Sequence, residues 1–369
     1  MATNLDTTNL DTAPALAPLL TPVTVAGLPL RSRLVMAPMT RHRALGGVPT
    51  PQMAEYYRRR AAHGLGLVVT EGALVDHPSA GHEDTVPRLS AGAAEVGWRA
   101  VVDAVHAAGG RIAAQLWHLG SLREPVDGRP AWTPSGVRET GRPATRAMTV
   151  ADLDTLLAAY GEAARVAVRA GFDAVEIHAA HGYLLDEFLW PYTNRRTDAF
   201  GGSPVRRAAF PAAVVRAVRA QLPARLPLIV RFSQFKERAF DARIAETPTE
   251  LAEILTAFAD AGADLLHASQ RRFWQPAFAG SAWNLAGWAK HLTGLPSITV
   301  GSVGLTRDFL RPGGPESVSG LVGRVTDGEF DLVAVGRALL GNPAWVTHAA
   351  AGRLSEIVDY CKAHEDVHP

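Results

Sequence analysis

Eight short apolar runs, each closed by a polar or glycine-rich turn, constrain the fold of this chain more than any other feature. They cover residues 34–37, 67–70, 112–116, 174–177, 228–232, 264–267, 297–300 and 332–335. Their hydrophobicity is continuous rather than alternating, which is typical of parallel strands that are covered on both faces. The runs therefore predict a parallel sheet enclosed by helices.

Amphipathic helical patterns lie between most of these runs. One pattern places apolar side chains at Trp98, Val101 and Val105, with the spacing of a helix that buries one face. Another starts with a capping sequence at Thr149 and ends at Gly171. Eight strand–helix alternations at a spacing of about 42 residues predict a (β/α)8 TIM barrel of the α/β class rather than a doubly wound sheet.

No linker divides the chain, so we predict a single domain in which residues 16–369 form the barrel. Residues 1–15 are polar and contain a directly repeated segment, 3–7 and 8–12, which predicts a flexible N-terminal tail. Residues 119–148, between the third and fourth runs, are rich in glycine, proline, arginine and tryptophan. We expect this insertion to be a loop or small hairpin that forms a lid on the catalytic face.

The composition narrows the possible partners. Lys and Arg total 37 against 36 Asp and Glu, without a dense basic patch, so we expect no nucleic-acid partner. The single cysteine, Cys361, excludes an intramolecular disulfide and an all-cysteine metal site within this chain. No apolar run approaches the roughly 18 residues of a membrane span, and the N-terminus does not resemble a signal peptide. We therefore expect a cytoplasmic protein without a membrane partner.

Candidate catalytic residues follow the fourth run. His178 and His181 lie close together in the chain, and Tyr183 follows them. All three side chains can donate protons, and the carboxyl ends of barrel strands are where enzymes of this fold place their chemistry. The cluster therefore predicts an active site.

The ends of other runs carry groups that suit a large cofactor. Thr40, Gln115 and Arg231 offer hydrogen-bonding groups for a planar heteroaromatic ring with carbonyl and imide edges. An internal salt bridge is the alternative role for Arg231. Glycine-rich turns follow the seventh and eighth runs, with Arg337 and a predicted helix beside the second turn. Backbone amides at such turns predict a phosphate site.

These motifs resemble the Old Yellow Enzyme family of flavin-dependent ene-reductases. The matching segments are 36–41, 70–72, 115–117, 176–185, 194–203 and 335–337, and they occur in order and at matching barrel positions. The resemblance extends over residues 30–345, nearly the whole predicted barrel.

The resemblance implies FMN bound noncovalently at the barrel mouth. The residues that it implies as FMN contacts are Pro38, Met39, Thr40, Gly72, Gln115, Arg231, Gly301, Ser302, Gly336 and Arg337. In this assignment Arg231 faces the N1/O2 edge of the flavin, Gln115 faces its pyrimidine edge, and Thr40 donates to O4. The backbone around Gly301 and Gly336 would hold the phosphate. An arginine near N1 stabilises the anionic reduced flavin.

The implied reaction is the reduction of an activated C=C bond in a small α,β-unsaturated carbonyl or nitro compound. NADH or NADPH would reduce the flavin, and hydride would then pass from flavin N5 to the β-carbon of the substrate. His178 and His181 would bind the substrate oxygen and stabilise its developing charge. Tyr183 would protonate the α-carbon as general acid, and Trp117 would shape the substrate pocket. We expect a monomer or a homodimer.

Two other functions stay open. A metal-dependent barrel hydrolase could ligate zinc through His178, His181 and Glu176, although no further cluster of His or Asp follows the other runs. A flavin-binding protein without turnover is the second alternative, although the intact catalytic trio argues against it. Segments 233–238 and 269–274 depart from the pattern of many relatives and could line the mouth of the active site, so the substrate and the choice between NADH and NADPH stay open.

Overall fold

The computed structural model describes residues 13–125, 128–138, 145–305 and 318–366, and a closed parallel barrel lies at its centre. The barrel strands are β1 (Leu34–Met36), β2 (Leu67–Val75), β3 (Arg111–Trp117), β4 (Ala174–His181), β5 (Leu228–Lys236), β6 (Leu265–Ser269), β7 (Ser297–Val300) and β8 (Leu332–Val335). Each strand pairs in parallel with the next, and β8 pairs with β1. The predicted (β/α)8 TIM barrel is confirmed, and every predicted run coincides with a barrel strand.

Helices cover the outside of the barrel. They are α1 (Pro51–Ala62), α2 (Ala93–Ala107), α3 (Val150–Ala170), α4 (Pro204–Arg219), α5 (Pro248–Asp260), α6 (Leu285–Thr293), α7 (Val318–Thr326) and α8 (Trp345–Ala350). The predicted capping of α3 is confirmed, because Thr149 accepts from the backbone of Asp152 while the Asp152 carboxylate accepts from the backbone of Thr149. Gly171 ends α3 with a φ of 91°, in the left-handed region that favours glycine.

Several short elements lie outside this pattern. They are the helices Ala13–Leu20, Leu184–Leu189 and Ala338–Gly341, the 3-10 turns Gly120–Leu122, Leu354–Glu356 and Lys362–Glu365, an antiparallel pair Val23–Val25 and Leu28–Leu30, and Arg88–Leu89 beside β2. In the part of the chain that the structure describes, no helix combines the length and apolar character needed to cross a bilayer.

The N-terminal boundary differs from the prediction. Helix Ala13–Leu20 begins inside the predicted tail of residues 1–15, so residues 13–15 are helical. Leu16 and Leu19 are buried in the core, and their burial explains why the helix forms there. Residues 1–12 lie outside the described residues, and a flexible tail over them stays a prediction.

The barrel interior is filled in layers by side chains at alternate strand positions. The lower layers are apolar and include Val35, Leu67, Ala113, Ala174, Ile229, Leu265, Ile298 and Leu332. Two residues further along four of these strands, the inward positions become polar. These buried residues, which we call the polar layer, are Gln115, Glu176, Arg231 and His267. Strand alternation therefore places the polar layer above an apolar floor, toward the carboxyl ends of the strands.

The insertion between β3 and α3 contains two short strands, but they do not form a hairpin. Ala131–Thr133 and Thr145–Ala147 pair in parallel, whereas a hairpin requires antiparallel strands. The prediction rested on composition, which does not determine strand direction. Residues 126–127 and 139–144 of the insertion lie outside the described residues.

Contacts place this insertion at the carboxyl end of the barrel, as expected for the predicted lid. Trp132 packs on the ring of His77, from the segment after β2, with 4.7 Å between ring centroids. Arg196, from the segment after β4, donates a hydrogen bond to the carbonyl oxygen of Pro134 at 2.8 Å.

A buried ion pair joins β5 to the segment after β4. Lys236, the last residue of β5, places its Nζ 2.7 Å from Oδ2 of Asp186, and both side chains are fully buried. Asp186 also accepts the backbone N–H of Gly182 at 2.6 Å. Burial raises the pKa of Asp186 to about 6, although the charge of Lys236 opposes this shift. The pair fixes two segments that border the barrel mouth.

We expect Lys236→Met to lower the free energy of unfolding by about 3 to 5 kcal/mol, because it leaves the Asp186 carboxylate buried without its cation. The double variant Asp186→Asn/Lys236→Met should recover much of this loss, since asparagine removes the charge and still accepts the Gly182 N–H. Equilibrium urea unfolding measures both values. Equal losses in the single and double variants would show that Lys236 stabilises the fold by packing alone.

Candidate active site

A cavity of about 390 Å³ opens at the carboxyl ends of the barrel strands. Its lining consists of Pro38, Met39, Thr40, His42, Gly72, Gln115, Trp117, His178, His181, Tyr183, Arg231 and Glu237. The structure therefore brings together all the predicted site residues except those of the two glycine-rich turns. Most of these side chains come from β1 to β5 or the segments after them, so barrel closure assembles the site from distant parts of the chain.

His178 is a buried, neutral hydrogen-bond donor. Its Nδ1 accepts the backbone N–H of Ala180 at 3.3 Å, which leaves the proton of the neutral ring on Nε2. Burial, assisted by the charge of Arg231, holds the pKa of His178 well below its ordinary value of 6.5. The ring can therefore donate one hydrogen bond from Nε2.

His181 is held beside His178 by contacts from two neighbouring strands. Its backbone has a φ of 67°, in the left-handed region, and its N–H donates to the hydroxyl of Ser233 at 3.0 Å. Its Nε2 lies 2.8 Å from the hydroxyl of Ser269. Burial, followed by the charge of Arg231, also holds the pKa of His181 well below 6.5. The two ring centroids are 5.2 Å apart, so both imidazoles can approach one oxygen atom in the cavity.

Tyr183 presents a protonated phenol to the same cavity. Its ring meets those of His178 and Trp117 edge-on, with centroid distances of 4.8 and 4.9 Å. Its hydroxyl donates to Oε1 of Glu237 at 2.8 Å. Burial, followed by the negative charge of Glu237, raises the pKa of Tyr183 well above its ordinary value of 10. The phenol therefore keeps its proton at neutral pH.

Gly72 has a packing role in the cavity wall. A Cβ at this position would lie 2.6 Å from the indole ring of Trp117. Glycine therefore lets the indole lie against β2, and the ring then stacks toward His178 at a centroid distance of 6.3 Å. The indole thus borders the cavity beside the catalytic candidates.

The polar layer forms the base of the cavity around a buried carboxylate. Glu176 accepts hydrogen bonds from Nε2 of Gln115 at 2.8 Å and from Nδ1 of His267 at 2.6 Å. Burial raises the pKa of Glu176, but the effects of His267, Arg231 and Gln115 together bring it below its ordinary value. Glu176 is therefore ionised, and the amide oxygen of Gln115 remains to accept a hydrogen bond from a ligand.

Arg231 has unused hydrogen-bonding capacity inside the barrel. Within the described residues its Nε has no hydrogen-bond partner, and its Nη2 lies 3.5 Å from the hydroxyl of Ser269. The internal salt bridge considered as its alternative role is not formed there. Leaving a buried donor unpaired costs about 1 to 3 kcal/mol. An electron-rich ligand edge would offset that cost, and the N1/O2 edge of FMN is such an edge, so the residues present fit the implied cofactor.

The sequence did not identify His42 and His267 as site residues, and it gave no role to Ser269 or Glu237 within the segments expected at the active-site mouth. His267 and Ser269 occupy alternate, inward positions of β6, and this period of two was the signal that could have identified them. Glu237 carried no such signal. β5 continues to Lys236, beyond the predicted end at residue 232, and only this extension brings Glu237 to the cavity.

The glycine-rich turns lie beside the cavity but do not line it. A Cβ at Gly301 would meet the carbonyl oxygen of Gln270 at 2.4 Å, and Ser302 has a φ of 54°. A Cβ at Gly336 would lie 3.9 Å from Sδ of Met39, so this turn borders the cavity wall. Arg337 precedes the short helix Ala338–Gly341, and residues 306–317 lie outside the described residues. Phosphate binding at these turns stays a prediction.

The carboxylate of Glu176 is not placed to complete the zinc site of the metal-site alternative. Both of its carboxylate oxygens bind members of the polar layer rather than approaching His178 and His181. Across residues 13–125, 128–138, 145–305 and 318–366, no three His, Cys, Asp or Glu side chains are arranged to share a metal ion. In this part of the chain the histidine pair therefore has no third ligand.

Residues 18–356 match the family described as NADH:flavin oxidoreductase / NADH oxidase. The chain is 35% identical over 352 residues to 12-oxophytodienoate reductase 7 of Oryza sativa subsp. japonica, covering 89% of this chain and 86% of that protein. Morphinone reductase in complex with tetrahydroNAD superposes with a TM-score of 0.79 at 30% identity, covering 94% and 93% of the two chains. The Old Yellow Enzyme homologue from Zymomonas mobilis gives 0.79 at 26% identity, covering 94% and 96%.

We expect both imidazoles of the histidine pair to stay neutral from about pH 8 down to about pH 6, because burial disfavours their charged form. Nitrogen-15 spectra of the labelled protein measure this directly, with His178→Asn and His181→Asn providing the assignments. A protonation midpoint above about pH 6 for either ring would contradict the assignment of both residues as neutral donors.

Proposed function

The chain belongs to the NADH:flavin oxidoreductase / NADH oxidase family, which includes the Old Yellow Enzymes, and we propose that it is an FMN-dependent ene-reductase. As a family member it is an NAD(P)H-dependent flavin oxidoreductase. The proposed substrates are small α,β-unsaturated carbonyl or nitro compounds. The observation that carries this proposal is the meeting of His178, His181 and Tyr183 at one cavity above Arg231.

The residues proposed to hold FMN surround the base and one side of the cavity. The unpaired Nε of Arg231 would donate to the N1/O2 edge, and the amide oxygen of Gln115 would accept from the ring N–H. Thr40 would donate to O4, and the turns at Gly301 and Gly336 would bind the phosphate. The chemistry that FMN supplies when bound is the uptake of a hydride from NADH or NADPH and its transfer to an electron-poor alkene.

The histidine pair would orient the substrate and stabilise its charge. Both rings are neutral; His178 can donate from Nε2, and His181 can donate from Nδ1 when its Nε2 accepts the hydroxyl of Ser269. A carbonyl or nitro oxygen between the two rings would accept both hydrogen bonds. These bonds strengthen as negative charge develops on that oxygen, which is the condition for transition-state stabilisation.

Tyr183 would complete the reaction by protonating the α-carbon. Its phenol borders the cavity on the side of Trp117, and its proton is retained because the pKa is raised. General acids in such positions contribute about 10² to 10⁴ in rate. Trp117 would limit the size of the substrate beside this phenol.

Purification and a substrate screen test the proposed function. The protein should be yellow, release FMN on denaturation, and couple NADH or NADPH oxidation to the reduction of enones, enals, nitroalkenes or maleimides. The complex of morphinone reductase with tetrahydroNAD supports a nicotinamide donor, and the screen decides between NADH and NADPH. A colourless, zinc-containing protein would support the hydrolase alternative. Bound flavin that no alkene reoxidises would support a binding protein without turnover.

We expect Tyr183→Phe to retain FMN and its reduction by NAD(P)H but to slow flavin reoxidation by cyclohexenone by about 10²-fold or more, because the general acid is lost. Stopped-flow absorbance separates the two half-reactions. Tyr192→Phe is the matched control, since Tyr192 is partly exposed and does not line the cavity. Unchanged enone reoxidation in Tyr183→Phe would show that another group supplies the proton.

Replacing both histidines should weaken the binding of phenols, which mimic the enolate. Losing two hydrogen bonds of about 0.5 to 1.5 kcal/mol each predicts an increase in Kd of roughly 5- to 150-fold for His178→Ala/His181→Ala. Titration of the phenol charge-transfer absorbance measures this change, and His291→Asn, outside the cavity lining, is the control. Undiminished phenol affinity in the double variant would remove the histidine pair from the proposed site.

A further inference from the structure

Glu237 contacts two of the three catalytic candidates through separate groups. One carboxylate oxygen accepts the hydroxyl of Tyr183 at 2.8 Å, and its backbone N–H donates to the carbonyl oxygen of His181 at 3.2 Å. The same residue lines the cavity. These contacts position the Glu237 carboxylate at the atom from which the proposed reaction removes a proton.

A buried ion pair holds the backbone next to both residues of this contact. Lys236, the preceding residue, is fully buried against Asp186, and Asp186 binds the backbone of Gly182, the residue before Tyr183. Tyr183 follows Gly182, and Glu237 follows Lys236. The same buried ion pair therefore holds the backbone next to both residues. This arrangement favours a contact that persists through turnover.

The two residues of this hydrogen bond differ in burial, since Tyr183 is half-buried and Glu237 is exposed. Glu237 is an exposed residue, whereas the Tyr183 side chain packs inside the cavity against two aromatic rings. The carboxylate therefore joins the phenol in the cavity to the bulk solvent. Because the pKa of Tyr183 is raised, the phenolate left by proton donation would be a strong base that readily takes a proton from a carboxylic acid.

We propose that Glu237 is the proton relay that reprotonates Tyr183 from solvent in each turnover. The inference rests on the proposed role of Tyr183 as general acid. The phenol O–H bond breaks as the α-carbon C–H bond forms; the Glu237 carboxylate then takes a proton from solvent and passes it to the phenolate oxygen, which returns Glu237 to the ionised form that accepts the Tyr183 hydroxyl. A hydronium ion or buffer acid supplies that proton, so the relay consumes no other reactant and transfers no electrons.

Several other titratable or charged groups face this pair and contribute to any pH dependence. They are His178, His181 and Arg231 within the cavity, His42 from the segment after β1, and Lys236 and Arg238 on either side of Glu237. The effect of Glu237 has to be separated from theirs, which requires variants at this position alone.

The test compares Glu237→Gln, Glu237→Ala and the control Glu246→Gln, an exposed carboxylate outside the cavity lining. We expect both Glu237 variants to slow enone reoxidation by about 10-fold or more, with loss of one ionisation from the pH profile. Acetate or formate should restore the rate of Glu237→Ala, whereas chloride at equal ionic strength should not. The control should behave as the wild type.

A second readout does not depend on turnover. In protein labelled with carbon-13 at tyrosine Cζ, the Tyr183 resonance, assigned by its loss in Tyr183→Phe, should shift in Glu237→Gln and not in Glu246→Gln. It should also titrate at a lower pH in Glu237→Gln, because the charge of Glu237 raises the pKa of the phenol.

The outcomes separate this inference from the proposed function. A wild-type rate and pH profile in Glu237→Gln would overturn the relay. Slow Glu237 variants that keep the wild-type pH profile and are not rescued by acetate or formate would also overturn it, because a residue that only positions Tyr183 behaves in this way. If Tyr183→Phe itself reduces enones normally, the assignment of Tyr183 fails first. If enone reoxidation is slow in Tyr183→Phe and normal in Glu237→Gln, the relay is contradicted while the role of Tyr183 as general acid is supported.

Discussion

The buried carboxylate of Glu176 is the interaction on which the rest of the site depends. Removing a carboxylate from water costs several kcal/mol unless its partners are well placed, so Gln115 has to reach it from the adjacent β3 and His267 from β6, two strands away. That requirement links the register of β3, β4 and β6 at one level of the barrel. The Glu176 carboxylate also balances the charge of Arg231, whose Nε has no partner among the described residues.

The groups above this layer are held by residues from other strands rather than by their own segment. Ser269 on β6 fixes the ring of His181, and Glu237 beyond β5 fixes the hydroxyl of Tyr183. The Asp186–Lys236 ion pair stabilises the backbone on both sides. In the proposed function, groups held in this way would act on a substrate without reorganising first.

Much of the barrel could be predicted because its signals are local. Continuous hydrophobicity identified all eight barrel strands, and Thr149 and Gly171 marked both ends of α3. The predictions that were wrong or incomplete depended on distant packing. Burial of Leu16 and Leu19 extends the first helix into the predicted tail, strand direction in the insertion follows from its surroundings, and β5 continues past its apolar run.

The sequence by itself determined which chemical groups stand at the strand ends, including His178, His181, Tyr183 and Arg231, and a family pattern that covers nearly the whole barrel. Only the tertiary structure decided their partners and protonation states. Glu237 lies 54 positions from Tyr183, and Ser269 lies 88 from His181. Barrel closure brings these pairs into hydrogen-bonding distance and partly buries the rings of His181 and Tyr183, and pKa values depend on that local environment rather than on residue type alone.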